Sequence, residues 1–517
     1  MGAYPFHPLD MTARRCILIA VAIGAGACTR RMPPVTGAVP VPLPPVDRPA
    51  MAPAPARPAA ATLQQFVDSM VALPQFANAN WGILIVAPDR RDTLARVNAD
   101  KLVMPASNMK LVTGAVALAK LGADYQWLTT FTRTAPITKG VLRGDLVVSG
   151  SGDPTVSVAM RGDPHSAFLP LIDALHNAGV VRIEGRVRAS ANPAFPGSPL
   201  GFGWDWDDLD TDYGAGVTEL MFNDAFTNVL VTGCRNAGKP ACVATAPLAT
   251  FPLIRSTVTI RAAGSGPSTL QWWRDSATVP GITVRGSIAA RDSTSFSVSQ
   301  PDDRAMYLAA VTQALCLAKI RVRGKLSRTT GVDTVAVLTS LPLRQVLAAM
   351  QKPSQNQIAE VLFRTLALTE TGVGTPDSGR AVVERQLATW GVRPDAYAIR
   401  DGSGLSRHNY LTPRAIAQVL GEVRHYDFFK AFMDALPIAG VDGSLQNRMR
   451  AFANGRVHAK TGTIDKARSL SGYVTTADGE MLIFSIIANN FTVPNREVDR
   501  VAESIVEKLV GMRRATP

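Results

Sequence analysis

The chain has little of what metal or nucleic-acid chemistry requires. Its five cysteines and six histidines show no zinc-ligand spacing and no HExxH pair, so no structural or catalytic metal is expected. Only 18% of the residues are charged, and 54 basic residues against 41 acidic ones leave a net charge of +13. The cations are scattered, with no dense basic run, no RNP motif and no zinc-finger spacing, so no nucleic-acid partner is expected. The surplus suits an anionic cell envelope. No apolar run is long enough for a comfortable transmembrane helix. Nothing in the sequence requires a cofactor.

Glycine and proline, by contrast, are plentiful, at 41 and 36 of 517 residues, which implies many turns and an extended segment. The length exceeds what one core serves, so two or three domains are expected. Arg14 and Arg15 precede the apolar stretch CILIAVAIGAGAC. A basic n-region, a short h-region and a small-residue exit read as a secretory signal peptide over 1–28. Cys28 follows Ala-Gly-Ala and weakly resembles a lipoprotein cleavage site, with Ala25 where leucine is usual; plain cleavage nearby is the alternative. The Pro- and Ala-rich stretch 29–60 reads as an extended tether. Cys234 and Cys242 bracket a short polar loop and could pair in an oxidising compartment. Cys316 lies in an apolar helical pattern and reads as buried and inert.

The hydrophobic pattern alternates between periods. A helix pattern at 62–73 is followed by strands at 81–87 and 93–99, then by a helix opening at Ser107. Helix patterns return at 355–371, 376–391 and 413–424. A strand at 456–464 precedes two more, joined by Asp478-Gly479 in a hairpin, and an amphipathic helix runs from Asn495 to about Met512. The expected fold is α+β, an antiparallel sheet with helices on its faces. The middle of the chain has short strands, many turns and few helices. It holds a weak internal repeat: LIDALHNAGVVRIEGRV (171–187) and VTQALCLAKIRVRGKL (311–326) each give a helix, then a short basic strand. Two such copies around a β-rich block suggest an inserted domain that carries a second insertion; coincidence between two ordinary αβ units is the alternative.

Three short motifs carry chemistry. Ser107-Asn108-Met109-Lys110 is S-x-x-K at a helix start. A serine hydroxyl needs a base to become a nucleophile, and a lysine one turn away serves if burial or nearby positive charge keeps it neutral. Alone, the pattern reads as a serine cap with a surface lysine. Two further matches change that reading. Ser354-Gln355-Asn356 is S-x-N before a helix, and Lys460-Thr461-Gly462-Thr463 is K-T-G-T on a strand. S-x-x-K, S-x-N and K-T-G, in that order, are the signature of penicillin-interacting serine enzymes. On a strand Lys460 and Gly462 share a face. Gly462 lets a substrate backbone lie close, and Lys460 places a cation beside Ser354 and a substrate carboxylate. Asn356 is suited to hold Lys110 and a substrate amide.

The chain resembles the D-alanyl-D-alanine carboxypeptidase/endopeptidase family of the penicillin-binding protein 4 type (peptidase family S13). Besides the motifs, GDLVVSGSGDPTVS (144–157), WDWDD (204–208), DGSGLSRHNYLTP (401–413) and GSLQNRM (443–449) resemble family blocks, as does the long stretch between Ser107 and Ser354. The resemblance covers about residue 61 to the end. It implies a penicillin-binding-protein/β-lactamase-like transpeptidase domain over 61–127 and 336–517, an inserted domain over 128–215 and 300–335, and a β-rich insertion over 216–299. It implies Ser107 as the acylated nucleophile and Lys110 as its base, with Ser354 and Asn356 completing the proton network. Lys460, Thr461 and Thr463 would receive a terminal carboxylate, Gly462 would admit the substrate backbone, and the N–H groups of Ser107 and Thr463 would form an oxyanion hole. An aspartate of WDWDD, Asp208 for preference, and Arg407 would hold the zwitterionic end of a stem-peptide side chain; an exposed anchoring turn is the bland alternative. Asp401 and Ser403 read as shaping their own turn, His458 as solvent-facing, and GSGDP as a tight turn rather than a phosphate loop.

The expected activity is that of an exported serine DD-peptidase. Its partners are peptidoglycan stem peptides, with β-lactams as covalent inhibitors. The alternatives are a β-lactamase or esterase on the same fold, and a catalytically silent peptidoglycan-binding protein.

Overall fold

The computed structural model describes residues 58–247, 253–274, 281–300, 302–325 and 333–514. The expected leader, Cys28 and the tether up to residue 57 lie outside the described residues. The first helix, Pro58–Val71, starts inside the expected tether. Its opening Pro-Ala-Ala-Ala explains this, because proline suits the first helical position and alanine is the strongest helix former.

A five-stranded antiparallel sheet organises the body, in the order Val457–Ile464, Ala467–Thr475, Met481–Asn489, Asn80–Ala87, Asp92–Val97. Alternate side chains of each strand enter two different cores. In Met481–Asn489, Leu482, Phe484 and Ile486 face one core, while Ile483 and Ile487 face the other. The first core is closed by the helix Asn495–Gly511, whose Val498, Val501, Ala502, Ile505 and Leu509 make one apolar stripe. The second is helical. At its centre lies Met109–Leu121, buried at every position from Met109 to Leu118, surrounded by the helices Leu343–Gln351, Asn356–Thr371, Pro376–Thr389 and Pro413–Val423. The fold is therefore α+β with helices on both sheet faces. Lys110 is the one cation inside that buried central run.

Two further cores belong to the middle of the chain. One lies between a four-stranded sheet (Asp333–Thr339, Leu128–Arg133, Leu146–Gly150, Val187–Ala189), a smaller four-stranded sheet and the helices Leu169–Asn177 and Asp303–Leu317. The other lies between two three-stranded sheets and is filled by Val229, Val231, Val258, Ile260, Ile282 and Val284. Separate cores support the division we propose, a catalytic domain over 61–127 and 336–517 with insertions over 128–215 plus 300–335 and over 216–299. Two elements straddle its limits: Asp333–Thr339 pairs with Leu128–Arg133, and Val217, Met221 and Ala225 reach into the large helical core.

Cys234 and Cys242 form a disulfide. Cys316, expected buried, is half-buried near the end of its helix and is not a free thiol. No helix among the described residues is long and apolar enough to cross a membrane.

Candidate active site

Ser107 lies in a 3₁₀ turn, Ala106–Asn108, that runs into the helix Met109–Leu121. No side chain caps this helix. Instead Ser107 Oγ accepts a hydrogen bond from Lys110 Nζ at 2.9 Å. Ala106 has φ +47°, a left-handed conformation that costs a non-glycine residue about 1–2 kcal/mol. The sheet holds this turn from two sides. Asn489 Oδ1 accepts from Met104 N at 2.7 Å and Ser469 Oγ donates to Pro105 O at 2.7 Å. Asn108 Nδ2 donates to Lys460 O at 2.8 Å. The 401–404 turn packs from the third side. A Cβ on Gly404 (φ +84°) would collide with the Ala106 carbonyl oxygen, so only glycine lets the two turns touch.

Lys110 is fully buried. Besides Ser107, its Nζ donates to Asn356 Oδ1 at 2.6 Å and to Ser403 O at 2.7 Å. All three donors are thus used on oxygens. Burial lowers its pKa to about 7, and the charges of Asp401 and Glu360 act against that fall. Lys460 is also fully buried. Burial first, and the Lys110 charge second, hold its pKa well below the usual lysine range. Its Nζ donates to Thr461 O at 2.9 Å.

The second and third motifs converge on this centre. Asn356 opens the helix Asn356–Thr371. Its Oδ1 faces Lys110, but its Nδ2 donates to Tyr213 O at 2.8 Å. One amide hydrogen is thereby taken by the protein, where the sequence reading left it to a substrate. Ser354 is half-buried with φ +69°, and among the described residues its hydroxyl has no hydrogen-bond partner. It forms no hydrogen bond with Lys460. On the strand Val457–Ile464, Thr461 Oγ1 meets Ser444 Oγ at 2.7 Å, and exposed Thr463 accepts from Arg468. A Cβ on Gly462 would press on Ser469 Oγ, stand 2.8 Å from Pro105 O and 3.0 Å from Ser107 N. The missing side chain lets the serine turn, not only a substrate, lie against the strand.

The arrangement puts a hydroxyl nucleophile, an amine able to be neutral near pH 7 and a second buried amine in one site. Comparisons with known proteins agree with that chemistry. Residues 63–510 match the D-Ala-D-Ala carboxypeptidase 3 (S13) family. The chain belongs to that family. A "D-alanyl-D-alanine carboxypeptidase" of Actinomadura sp. (strain R39) is 31% identical over 453 residues, 84% of this chain and 82% of that protein. "D-alanyl-D-alanine carboxypeptidase DacB" of Haemophilus influenzae is 27% identical over 455 residues, 82% of this chain and 91% of that one. The crystal structure of penicillin binding protein 4 from Haemophilus influenzae superposes with a TM-score of 0.71 at 24% identity, over 88% of this chain and 99% of that one. The fold is thus the penicillin-binding-protein type.

Within this S13 chain the WDWDD stretch lies against the same centre. Arg407 pairs with Asp205 and donates to Asp465 O at 3.1 Å, just past the K-T-G-T strand. Asp208, the aspartate favoured by the sequence reading, instead accepts from Tyr213 Oη at 2.8 Å. Burial, then the neighbouring Asp205 and Asp207, raise its pKa, against the Tyr213 bond and the Arg407 charge. Asp207 is exposed. His458 is half-buried rather than solvent-facing, 3.4 Å from Met433 O. Asp153 caps its own turn, accepting from Thr155 N and Thr155 Oγ1 at 2.7 Å, so GSGDP is a tight turn.

Sequence reasoning missed Glu360. It lies one helical turn after Asn356, buried, with Oε1 accepting from Gly402 N at 3.0 Å and Ser403 N at 2.8 Å. It thereby fixes the carbonyl that Ser403 offers to Lys110. Burial raises its pKa. Asp401 completes the turn by accepting from Gly404 N, Ser406 N, Asn409 Nδ2 and Trp204 Nε1. The signal was available: a glutamate inside the apolar run IAEVLF has to be buried and bonded. Among the described residues no group of His, Cys, Asp and Glu is placed to hold a metal ion.

Proposed function

We propose that this protein is a serine-type D-Ala-D-Ala carboxypeptidase acting on peptidoglycan stem peptides, acylated by penicillins at Ser107. The observation that carries the reading is the buried Lys110 Nζ 2.9 Å from Ser107 Oγ, with its pKa lowered to about 7. Neutral Lys110 takes the Ser107 proton as Oγ attacks the carbonyl carbon of the penultimate D-Ala. The oxyanion meets the N–H groups of Ser107 and Thr463. The C–N bond breaks, and terminal D-Ala leaves with the proton that Lys110 took, passed on by the Ser354 hydroxyl, while Asn356 Oδ1 holds the lysine in place. Water, deprotonated by the same lysine, then hydrolyses the ester and restores Ser107. Lys460, Thr461 and Thr463 receive the substrate's terminal carboxylate, and Gly462 leaves room beside the strand.

Asp208 and Arg407, with Asp205, line the pocket for the stem-peptide side chain. A guanidinium for a carboxylate and acids for an ammonium suit diaminopimelate. The Haemophilus influenzae penicillin binding protein 4 has been solved complexed with a β-lactam, which supports the same susceptibility here. The N-terminal leader pattern supports export to the periplasm or cell envelope, with a lipid at Cys28 as one form of retention.

Digestion of purified muropeptides followed by mass analysis tests the reading. Loss of a terminal D-Ala from monomers is the expected result, and loss of dimers adds an endopeptidase activity. Unchanged muropeptides would leave a silent binding protein. Rapid β-lactam turnover with no muropeptide cleavage would make it a β-lactamase or esterase.

A further inference from the structure

The two copies of the internal repeat end up side by side. The helices Leu169–Asn177 and Asp303–Leu317 run into the same left-handed turn, at Gly179 (φ +68°) and Lys319 (φ +63°). Their closing bonds match. Ala178, Gly179 and Val180 donate to Ala174 O, His176 O and Leu175 O, while Ala318, Lys319 and Ile320 donate to Ala314 O, Cys316 O and Leu315 O. The strands that follow, Arg182–Ile183 and Arg321–Val322, pair in parallel. Parallel pairing puts both helix-to-strand turns at one end of the sheet. A third turn joins them: Gly140 O accepts from Val181 N at 2.9 Å and Arg182 N at 3.3 Å, and Lys139 precedes it.

This end is apolar and basic together. Leu317 is 65% exposed and Val181 54% exposed. Lys139, Lys319 and Arg321 are exposed around them, and none forms an ion pair among the described residues. Segments 137–141, 176–182 and 316–321 contain no acidic residue. The neighbouring acids are Asp173, one turn back on its helix, and Glu184, which is engaged by Arg182 at 2.9 Å and Lys325 at 3.1 Å. The catalytic chemistry uses none of these residues. Cations alone would suit any polyanion. Two exposed aliphatic side chains framed by cations suit a surface that is negative outside and apolar beneath.

We propose that this end of the inserted domain docks on an anionic lipid bilayer, with Leu317 and Val181 entering the headgroup layer while Lys139, Lys319 and Arg321 meet lipid phosphates. The sequence fits: a Pro- and Ala-rich stretch follows an apolar leader pattern, and a lipid at Cys28 would hold the body near a membrane. A single weak attachment becomes stable when a basic patch adds to it.

Hydrogen exchange on the full chain reads the contact locally, whatever the leader does. Vesicles of phosphatidylglycerol with phosphatidylcholine should slow exchange in 137–141, 176–182 and 316–321, and salt should reverse the effect. Phosphatidylcholine vesicles alone should not. The double variant K319Q/R321Q should need on the order of thirtyfold more anionic lipid for the same protection, from about 1 kcal/mol per cation removed. L317S should weaken the vesicle effect while keeping its salt dependence. A thermal melt and penicillin labelling equal to wild type would establish that both variants are folded. Protection equal on both vesicle types, no protection in these segments, or protection by soluble polyphosphate without protection by vesicles would each overturn the proposal.

Discussion

Lys110 and Lys460 are two amines buried in one site, and burial is what makes the first of them useful. An ordinary lysine would give up its proton only far above neutral pH. Lys110, with its pKa lowered to about 7, is neutral often enough to accept the Ser107 proton. Penicillin acylation should therefore rise about tenfold per pH unit up to about 7 and then level off, as measured by stopped-flow or gel labelling across pH 5–9. Asp401 and Glu360 raise the lysine's affinity for its proton. Removing the Glu360 charge in E360Q should thus move this limb to lower pH. A limb that stays above pH 9, or an E360Q limb that moves upward, would contradict the account. That Glu360 is buried and bonded was legible in the apolar run around it, but its partners were hidden, because the 402–403 amides come to it only in the fold. The Asp205–Arg407 pair was hidden differently, since three aspartates within four residues compete for one arginine and backbone geometry decides among them.

At the scale of elements, the strand Val457–Ile464 and the serine turn are fitted to each other through an absent side chain. Gly462 faces Pro105 O and Ser107 N. Substituting alanine should push the turn away, misplacing Ser107 and the strand together. G462A should lower the penicillin acylation rate at least about a hundredfold, roughly 3 kcal/mol, while the thermal midpoint falls by only a few degrees. A rate within threefold of wild type would show that the contact is dispensable. The strands, the hairpin and the helices bearing the motifs were legible in the sequence because their periods of two and 3.6 are regular. The start of the first helix was not, since Pro-Ala-Ala-Ala continues the tether's composition while having helix propensity. Nor was the left-handed Ala106. Its conformation is held by Ser469 on Pro105 O, by Lys460 O on Asn108 and by the 401–404 turn, all far along the chain.

At the scale of the molecule, the separate core of the β-rich insertion means that the strands around it can be altered without touching the site. The Cys234–Cys242 disulfide lies in the β-rich insertion, beside the core built on Val229 and Val231. C234A/C242A should reduce that unit's stability by about 2–3 kcal/mol and leave the acylation rate within twofold. Calorimetry and labelling on the same sample check both halves. A parallel collapse of acylation would mean that the cores are coupled.

The central claim is that Ser107 is the nucleophile. Intact-mass analysis after exposure to benzylpenicillin tests it most directly, with peptide mapping of any adduct and S107A as the control. The account predicts one adduct per chain, on the peptide carrying Ser107, and none on S107A with its melting transition retained. An adduct on another residue, or full labelling of folded S107A, would contradict it.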